Sequence, residues 1–154
     1  MDKPKFVYVA YIQSTPEKVF SALMDPELTR QYWFNHRNAS DWKVGSRWEH
    51  RDYDDPKVLH IVGQVVENSP PRRLVVTWVA PADEGNEAKT TRVTYEIEPL
   101  DEAVRLTVTH DEFEAESEMF KSVSFGWPLV LSGLKTLLET GKPIPLALAK
   151  AKAN

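Results

Sequence analysis

Between residues 41 and 110 the chain carries five short runs separated by turns and never by a helical pattern. The runs, most of them rich in β-branched and aromatic residues, cover 47–51, 58–67, 74–80, 90–98 and 104–110. Their breaks are Lys43-Val44-Gly45-Ser46, Asn68-Ser69-Pro70-Pro71, the loop from Pro81 to Asn86, and Pro99-Leu100-Asp101-Glu102 across a hairpin. Parallel strands need crossovers of a dozen or more residues, usually helical, so strands joined this tightly pair antiparallel. One face of such a sheet is apolar and has to be covered by another part of the chain.

The flanks supply the cover. Phe6-Val7-Tyr8-Val9-Ala10-Tyr11-Ile12 reads as one more strand. In Ser14-Thr15-Pro16-Glu17 either Ser14 and Glu17 form a capping box, or Thr15 caps a helix that has Pro16 at its first position. Both place a helix over 17–24 with Val19, Phe20 and Leu23 on one side. Asp25-Pro26-Glu27 repeats the start signal for a second short helix that runs to about Trp33. Further on, Trp127, Val130, Leu131, Leu134, Leu137 and Leu138 recur at helical spacing, Gly141 suits a C-cap, and Pro143 and Pro145 forbid continuation. Residues 146–154 read as a frayed tail. Strand, two short helices, antiparallel meander and long helix make an α+β layout. Only the last helix is long enough to cover the sheet. No repeat or linker divides the chain, so one domain is expected over 1–154, with an ordered core at about 6–144.

Composition removes several function classes. With 42% apolar and 27% charged residues, the 154-residue chain has the make-up of a globular domain. A net charge of −4 and no long basic stripe argue against nucleic acid as a partner. Without Cys there is no disulfide framework, thiol nucleophile or thiolate metal site. No run approaches the roughly 20 apolar residues of a membrane span. Met1-Asp2-Lys3-Pro4-Lys5 lacks a signal-peptide core, so the cytoplasm is the expected compartment. Five Trp, five Tyr and six Phe are the compositional oddity.

Strand parity shows where those rings point. Arg47, Glu49 and Arg51 share one face, which leaves Trp48 and His50 inward. Thr94, Glu96 and Glu98 send Val93, Tyr95 and Ile97 inward, and Arg105, Thr107 and Thr109 do the same for Leu106, Val108 and His110. Leu74, Val76 and Trp78 share a parity, although Val75 and Val79 leave that strand less decided. In 58–67 the apolar parity is Leu59, Ile61, Gly63 and Val65, which sends His60 and Gln64 outward. The inward set therefore holds Trp48, His50, Trp78, Tyr95 and His110, joined by Trp127 at the start of the covering helix and by Tyr32-Trp33 at the end of a short one. Such side chains, large with one polar tip, either fill a core with their tips bonded to backbone or line a ligand cavity. Taken alone, the residues favour the core.

Catalytic signatures are missing. His36, His50, His60 and His110 show no paired spacing and no carboxylate completes a metal site, so no metal and no cofactor are expected. His110 could shuttle a proton, but a lone inward His is more often hydrogen-bonded core. Ser122-Val123-Ser124-Phe125-Gly126 superficially resembles a nucleophile elbow, without its first Gly and without a preceding strand. Glu96 and Glu98 lie on a solvated face, where neither pKa should rise enough for acid catalysis. Nothing here reads as an enzyme.

Several blocks, in this order, carry a family resemblance. They are residues 12–23 from Ile12-Gln13-Ser14 to Ser21-Ala22-Leu23, Leu28-Thr29-Arg30-Gln31-Tyr32-Trp33, Gly63-Gln64-Val65-Val66-Glu67, and Pro70-Pro71-Arg72-Arg73-Leu74 through to Trp78. Leu106-Thr107-Val108-Thr109-His110, Gly126-Trp127-Pro128 and the 134–141 run from Leu134-Lys135-Thr136 to Thr140-Gly141 complete them. Over about 6–144 the chain resembles the START-like, or SRPBCC, superfamily, in the branch similar to the C-terminal domain of the activator of heat-shock-protein-ninety ATPase. That resemblance implies a helix-grip fold, a curved antiparallel sheet wrapped around a long C-terminal helix, with a cavity between them. Tyr32, Trp33, Trp48, His50, Trp78, Tyr95, His110 and Trp127 would line it.

The expected partner is then a hydrophobic small molecule such as a lipid, sterol, flavonoid or polyketide. A chaperone partner is the alternative, with the acidic 111–118 run as the only nominated surface, although those carboxylates precede or begin the last helix and are better explained by placement at its N-terminus. It carries over less readily, because family members that activate the chaperone have an additional N-terminal domain. A cofactor-free cyclase or hydratase using His110 or His50 ranks last. A monomer or weak homodimer is expected, since exposed strand edges can pair two copies.

Overall fold

The computed structural model describes residues 3–145, so the expected tail at 146–154 lies outside the described residues. Strand β1 (Phe6–Ile12) leads into helices α1 (Pro16–Met24) and α2 (Pro26–Tyr32). Strands β2 (His36–Ala39), β3 (Arg47–Asp52), β4 (Leu59–Ser69), β5 (Arg73–Trp78), β6 (Thr91–Pro99) and β7 (Val104–Asp111) follow, and helix α3 (Glu118–Thr140) comes last. The seven strands form one antiparallel sheet in the order β1-β7-β6-β5-β4-β3-β2. From β2 to β7 each strand pairs with its neighbour in sequence; β1 instead joins the far edge, with Phe6 opposite His110 and Ile12 opposite Val104. The curled sheet around α3 is the helix-grip fold.

Local chemistry explains the helix ends. The Thr15 side chain accepts the Lys18 N–H at 3.2 Å with Pro16 at the first turn, which decides between the two caps open in the sequence. Asp25 caps α2 by accepting from the Glu27 N–H at 2.9 Å. Helix α3 begins at Glu118, the end of the acidic run expected to precede or begin it, and before Trp127, where the recognised apolar stripe opens: Ser117 caps it, and Phe120 and Val123 extend the stripe backwards, so Pro128 lies inside the helix. Gly141 ends it at φ 79°, where its N–H bonds the Leu137 carbonyl at 2.8 Å. The Ser122–Gly126 segment is therefore helix interior, and Ser124 Oγ donates to the Phe120 carbonyl.

Two places depart from the strand reading. Polar His36-Arg37-Asn38-Ala39 carries no β-branched residue, yet it forms β2 after a turn in which Phe34 and Asn35 both take positive φ. Within β4 the pairing shifts twice, once against β3 between His50 and Arg51 and once against β5 between Val65 and Glu67. Extra residues of this kind bend a strand and increase its twist. Gly63 sits between the two shifts, where a Cβ would stand 1.9 Å from the Thr77 carbonyl oxygen and 2.4 Å from Trp48 Nε1. Trp48 donates to that carbonyl at 2.7 Å, so its ring needs the space a side chain at residue 63 would take.

Candidate functional site

All eight residues of the inward set come together under α3, none more than 6% exposed. Trp33 at the end of α2 lies with its ring centroid 4.9 Å from His50 and 5.5 Å from Trp127. Trp78 from β5 stands 5.3 Å from His110, 5.5 Å from Trp48 and 5.7 Å from Trp127. Tyr95 meets Trp127 edge-on at 6.0 Å, and Tyr32 tilts against Trp33 at 5.8 Å. Offset and edge-to-face rings at these spacings are the arrangements their quadrupoles prefer.

Most polar tips of the cluster are bonded within the fold. The Tyr32 hydroxyl donates to the Ala22 carbonyl at 2.7 Å. Trp127 Nε1 donates to His110 Nδ1 at 3.0 Å. Thr91 gives its one hydroxyl proton to the Trp78 carbonyl at 2.7 Å, so across the 2.8 Å contact His110 Nε2 is the donor and Thr91 Oγ1 the acceptor. His110 is thus held neutral, with its proton on Nε2. Trp78 Nε1 differs: it is buried with no hydrogen-bond partner among the described residues. Burial pushes the Tyr32 and Tyr95 phenols well above their ordinary range, so both stay protonated.

Burial also lowers the His110 pKa from 6.5 to about 3. The unfolded chain takes up a proton near the upper value and the folded chain only near the lower, so between them the unfolded state binds more protons. His110 therefore contributes its full stability above pH 6.5 and loses it as pH falls toward 3. The expected slope is roughly 1 kcal/mol per pH unit across that window. Urea denaturation at a series of pH values checks it, and His110→Gln should flatten the slope over the upper half of the window, above the carboxylate range.

A second buried polar chain runs from α1 into β2 and β3. Asn38 Nδ2 donates to the Leu23 carbonyl at 2.9 Å, so Asn38 Oδ1 is the acceptor facing His50 Nδ1 at 2.6 Å. His50 Nε2 then faces His36 Nδ1 at 2.9 Å. Burial first, and the neighbouring His36 and His60 second, lower the His50 pKa well below its usual value and keep that ring neutral. His60, expected outward, is half-buried and stacks on His36 at 4.0 Å: the register moves two residues on β4 for one on β3, which makes His60 the extra residue of a bulge.

The sequence reading missed Thr91, Asn38, His36 and Phe113. Phe113 is completely buried, 4.5 Å from the His110 ring, on a connection that reads only as acidic. Its single aromatic ring among four Glu and one Asp between 111 and 118 was the available signal. Surface grooves lie elsewhere among the described residues. One of about 690 Å³ is bordered by Gln64, Thr77, Glu84, Thr90, Arg92 and Glu112, and one of about 390 Å³ by Phe20, Met24, Trp42, Pro70 and Pro71. None of the eight residues borders either groove.

Comparison with known proteins gives the arrangement a context. A family model described as Activator of Hsp90 ATPase homolog 1-like protein matches residues 13–139. No curated protein matches the sequence. Among solved structures, the chain is similar to an HSP90 activator from Plasmodium falciparum, with a TM-score of 0.71, 21% identity, and coverage of 87% of this chain and 95% of that one. It is also similar to the Aha1 dimer from Colwellia psychrerythraea, at TM-score 0.70 and 19% identity over 90% and 98% of the two chains. A Cytophaga hutchinsonii solution structure matches at TM-score 0.69 and 26% identity over 92% and 98%.

Proposed function

Because the chain belongs to the Activator of Hsp90 ATPase homolog 1-like family, we infer that it is a non-catalytic binding protein whose aromatic cluster takes up a hydrophobic small molecule. Trp78 Nε1 carries this reading. A buried N–H without a partner costs about 1–3 kcal/mol, and the Trp78 ring lies beside those of Trp33, Trp48 and Trp127, which would hold a flat molecule bearing one acceptor. The rings supply area and Trp78 supplies orientation. Because the rings touch one another, entry requires Trp33, at the end of the short α2, to move away from Trp78 and Trp127.

Flavonoids, sterols, fatty acids and aromatic polyketides are the classes to screen, by thermal shift and tryptophan quenching. A ligand present at 100 times its dissociation constant adds about 2.7 kcal/mol of stability. Trp78→Phe keeps most of the ring and removes the orphan donor. The variant is expected to stay within about 1 kcal/mol of the parent in stability and to lose affinity for acceptor-bearing ligands. No shift with any class, in parent and variant alike, counts against the reading.

A second reading, a regulator that docks on a chaperone through its surface, is favoured by the family membership and by the likeness to the Plasmodium falciparum HSP90 activator. Pull-down with the chaperone and its ATPase rate separate the two readings, since a surface-acting regulator works without any small molecule.

A further inference from the structure

The geometry points to a divalent transition-metal site formed by His36, Asp52 and His60, three residues that reach one place from β2, β3 and β4. One ligand atom from each lies within 4.8 Å of the other two. His36 and Asp52 are direct cross-strand partners, and the β4 bulge turns His60 onto the same face. Two imidazoles and a carboxylate suit Zn²⁺, Co²⁺ or Ni²⁺ rather than the oxygen-seeking Mg²⁺ or Ca²⁺.

The hydrogen bonds around the cluster prepare it for a cation. The Leu23 carbonyl fixes the Asn38 amide, so Asn38 Oδ1 accepts and the His50 proton sits on Nδ1. Neutral His50 then presents a lone pair at Nε2, and His36 must donate to it from Nδ1. That places the His36 lone pair on Nε2, the nitrogen it would present to the ion. A ligating imidazole held through its other nitrogen is the usual outer support of a metal site, and it fixes both tautomer and ring orientation. Asp52 is held in the same manner: its Oδ2 accepts the N–H groups of Asp54 at 3.1 Å and Asp55 at 2.8 Å, which fixes the carboxylate it would offer.

A tetrahedral ion bound at about 2.1 Å spaces its donors about 3.4 Å apart, closer than the present arrangement. Half-exposed His60, stacked on His36 at 4.0 Å and 25°, is the side chain that turns to close the gap. Three protein ligands leave a fourth position for water or an anionic group.

The test uses untagged, EDTA-treated full-length protein titrated with Co²⁺ and Zn²⁺, with bound metal counted after dialysis and Co²⁺ coordination followed by visible absorption. The expected result is one ion per chain, with at least about 100-fold weaker affinity in His60→Ala and Asp52→Asn. Both variants should melt like the parent when metal is absent. Should either fail to fold, paramagnetic Co²⁺ effects on histidine NMR signals of the parent decide: the strongest at His36 and His60 support the site, and the strongest at other residues overturn it. Stoichiometric binding that survives both substitutions, or no stoichiometric binding by the parent, overturns it too.

Discussion

Gly63→Ala is expected to lower the stability of the fold by about 2–6 kcal/mol. The methyl group would stand 1.9 Å from the Thr77 carbonyl oxygen, which is backbone and cannot swing aside. Relief requires β4 to separate from β5, and the bond from Trp48 Nε1 to that carbonyl goes with it. Overpacking a core by one methyl ordinarily costs about 1–3 kcal/mol, and a lost buried hydrogen bond leaves a further penalty of about 1–3 kcal/mol. The sum takes up much of the roughly 5–15 kcal/mol that holds a domain together. Circular dichroism and urea denaturation check this. A variant that melts within a degree or two of the parent would mean that β4 and β5 are looser than described.

Trp127→Ala should be nearly as severe, by the opposite route of removing matter. Trp127 touches Trp33, Trp78, Tyr95 and His110, so its loss opens a void at the centre of the cluster. Large-to-small changes of this size cost about 3–5 kcal/mol, and His110 Nδ1 loses its donor as well. Trp127→Phe separates the two contributions: most of the ring volume stays and the N–H goes, so the expected loss falls to about 1–3 kcal/mol. Equal losses in the two variants would show that the hydrogen bond, not the packing, holds α3 in place.

Much of this architecture is legible before any coordinates. Alternation put Trp48, His50, Tyr95 and His110 on the inner face because Arg47, Glu49, Arg51, Glu96 and Arg105 mark the outer one so clearly, and all four are buried. Punctuation by Thr15-Pro16, Asp25-Pro26 and Gly141 located the helix ends. Three things escaped for physical reasons. β2 is held by its neighbours rather than by its own propensity, so His36-Arg37-Asn38-Ala39 reads as loop. The apolar stripe is regular only from Trp127 onward, so the acidic run before it left the start of α3 open. The bulge in β4 breaks the period of two on which parity depends, so His60 was assigned to the wrong side. The histidine cluster was invisible for the same reason. Metal-site spacing rules describe ligands on one element, whereas here the signal was His36-x-Asn38 on one strand facing His50-x-Asp52 on the next.

The placement of β1 governs how the molecule is made. It is made before the other strands of the sheet, yet its strand partner is β7, so residues 13–103 intervene before the pair can form. Val7, Val9 and Tyr11 remain largely exposed even when the fold is complete. Throughout elongation this apolar segment has no ladder to join, and α3 emerges later still. Pairings that distant close slowly and leave a nascent chain open to association with its neighbours. The earliest-made strand of this sheet is thus among the last to be secured, and the yield of native protein depends on how well it is shielded in the interval.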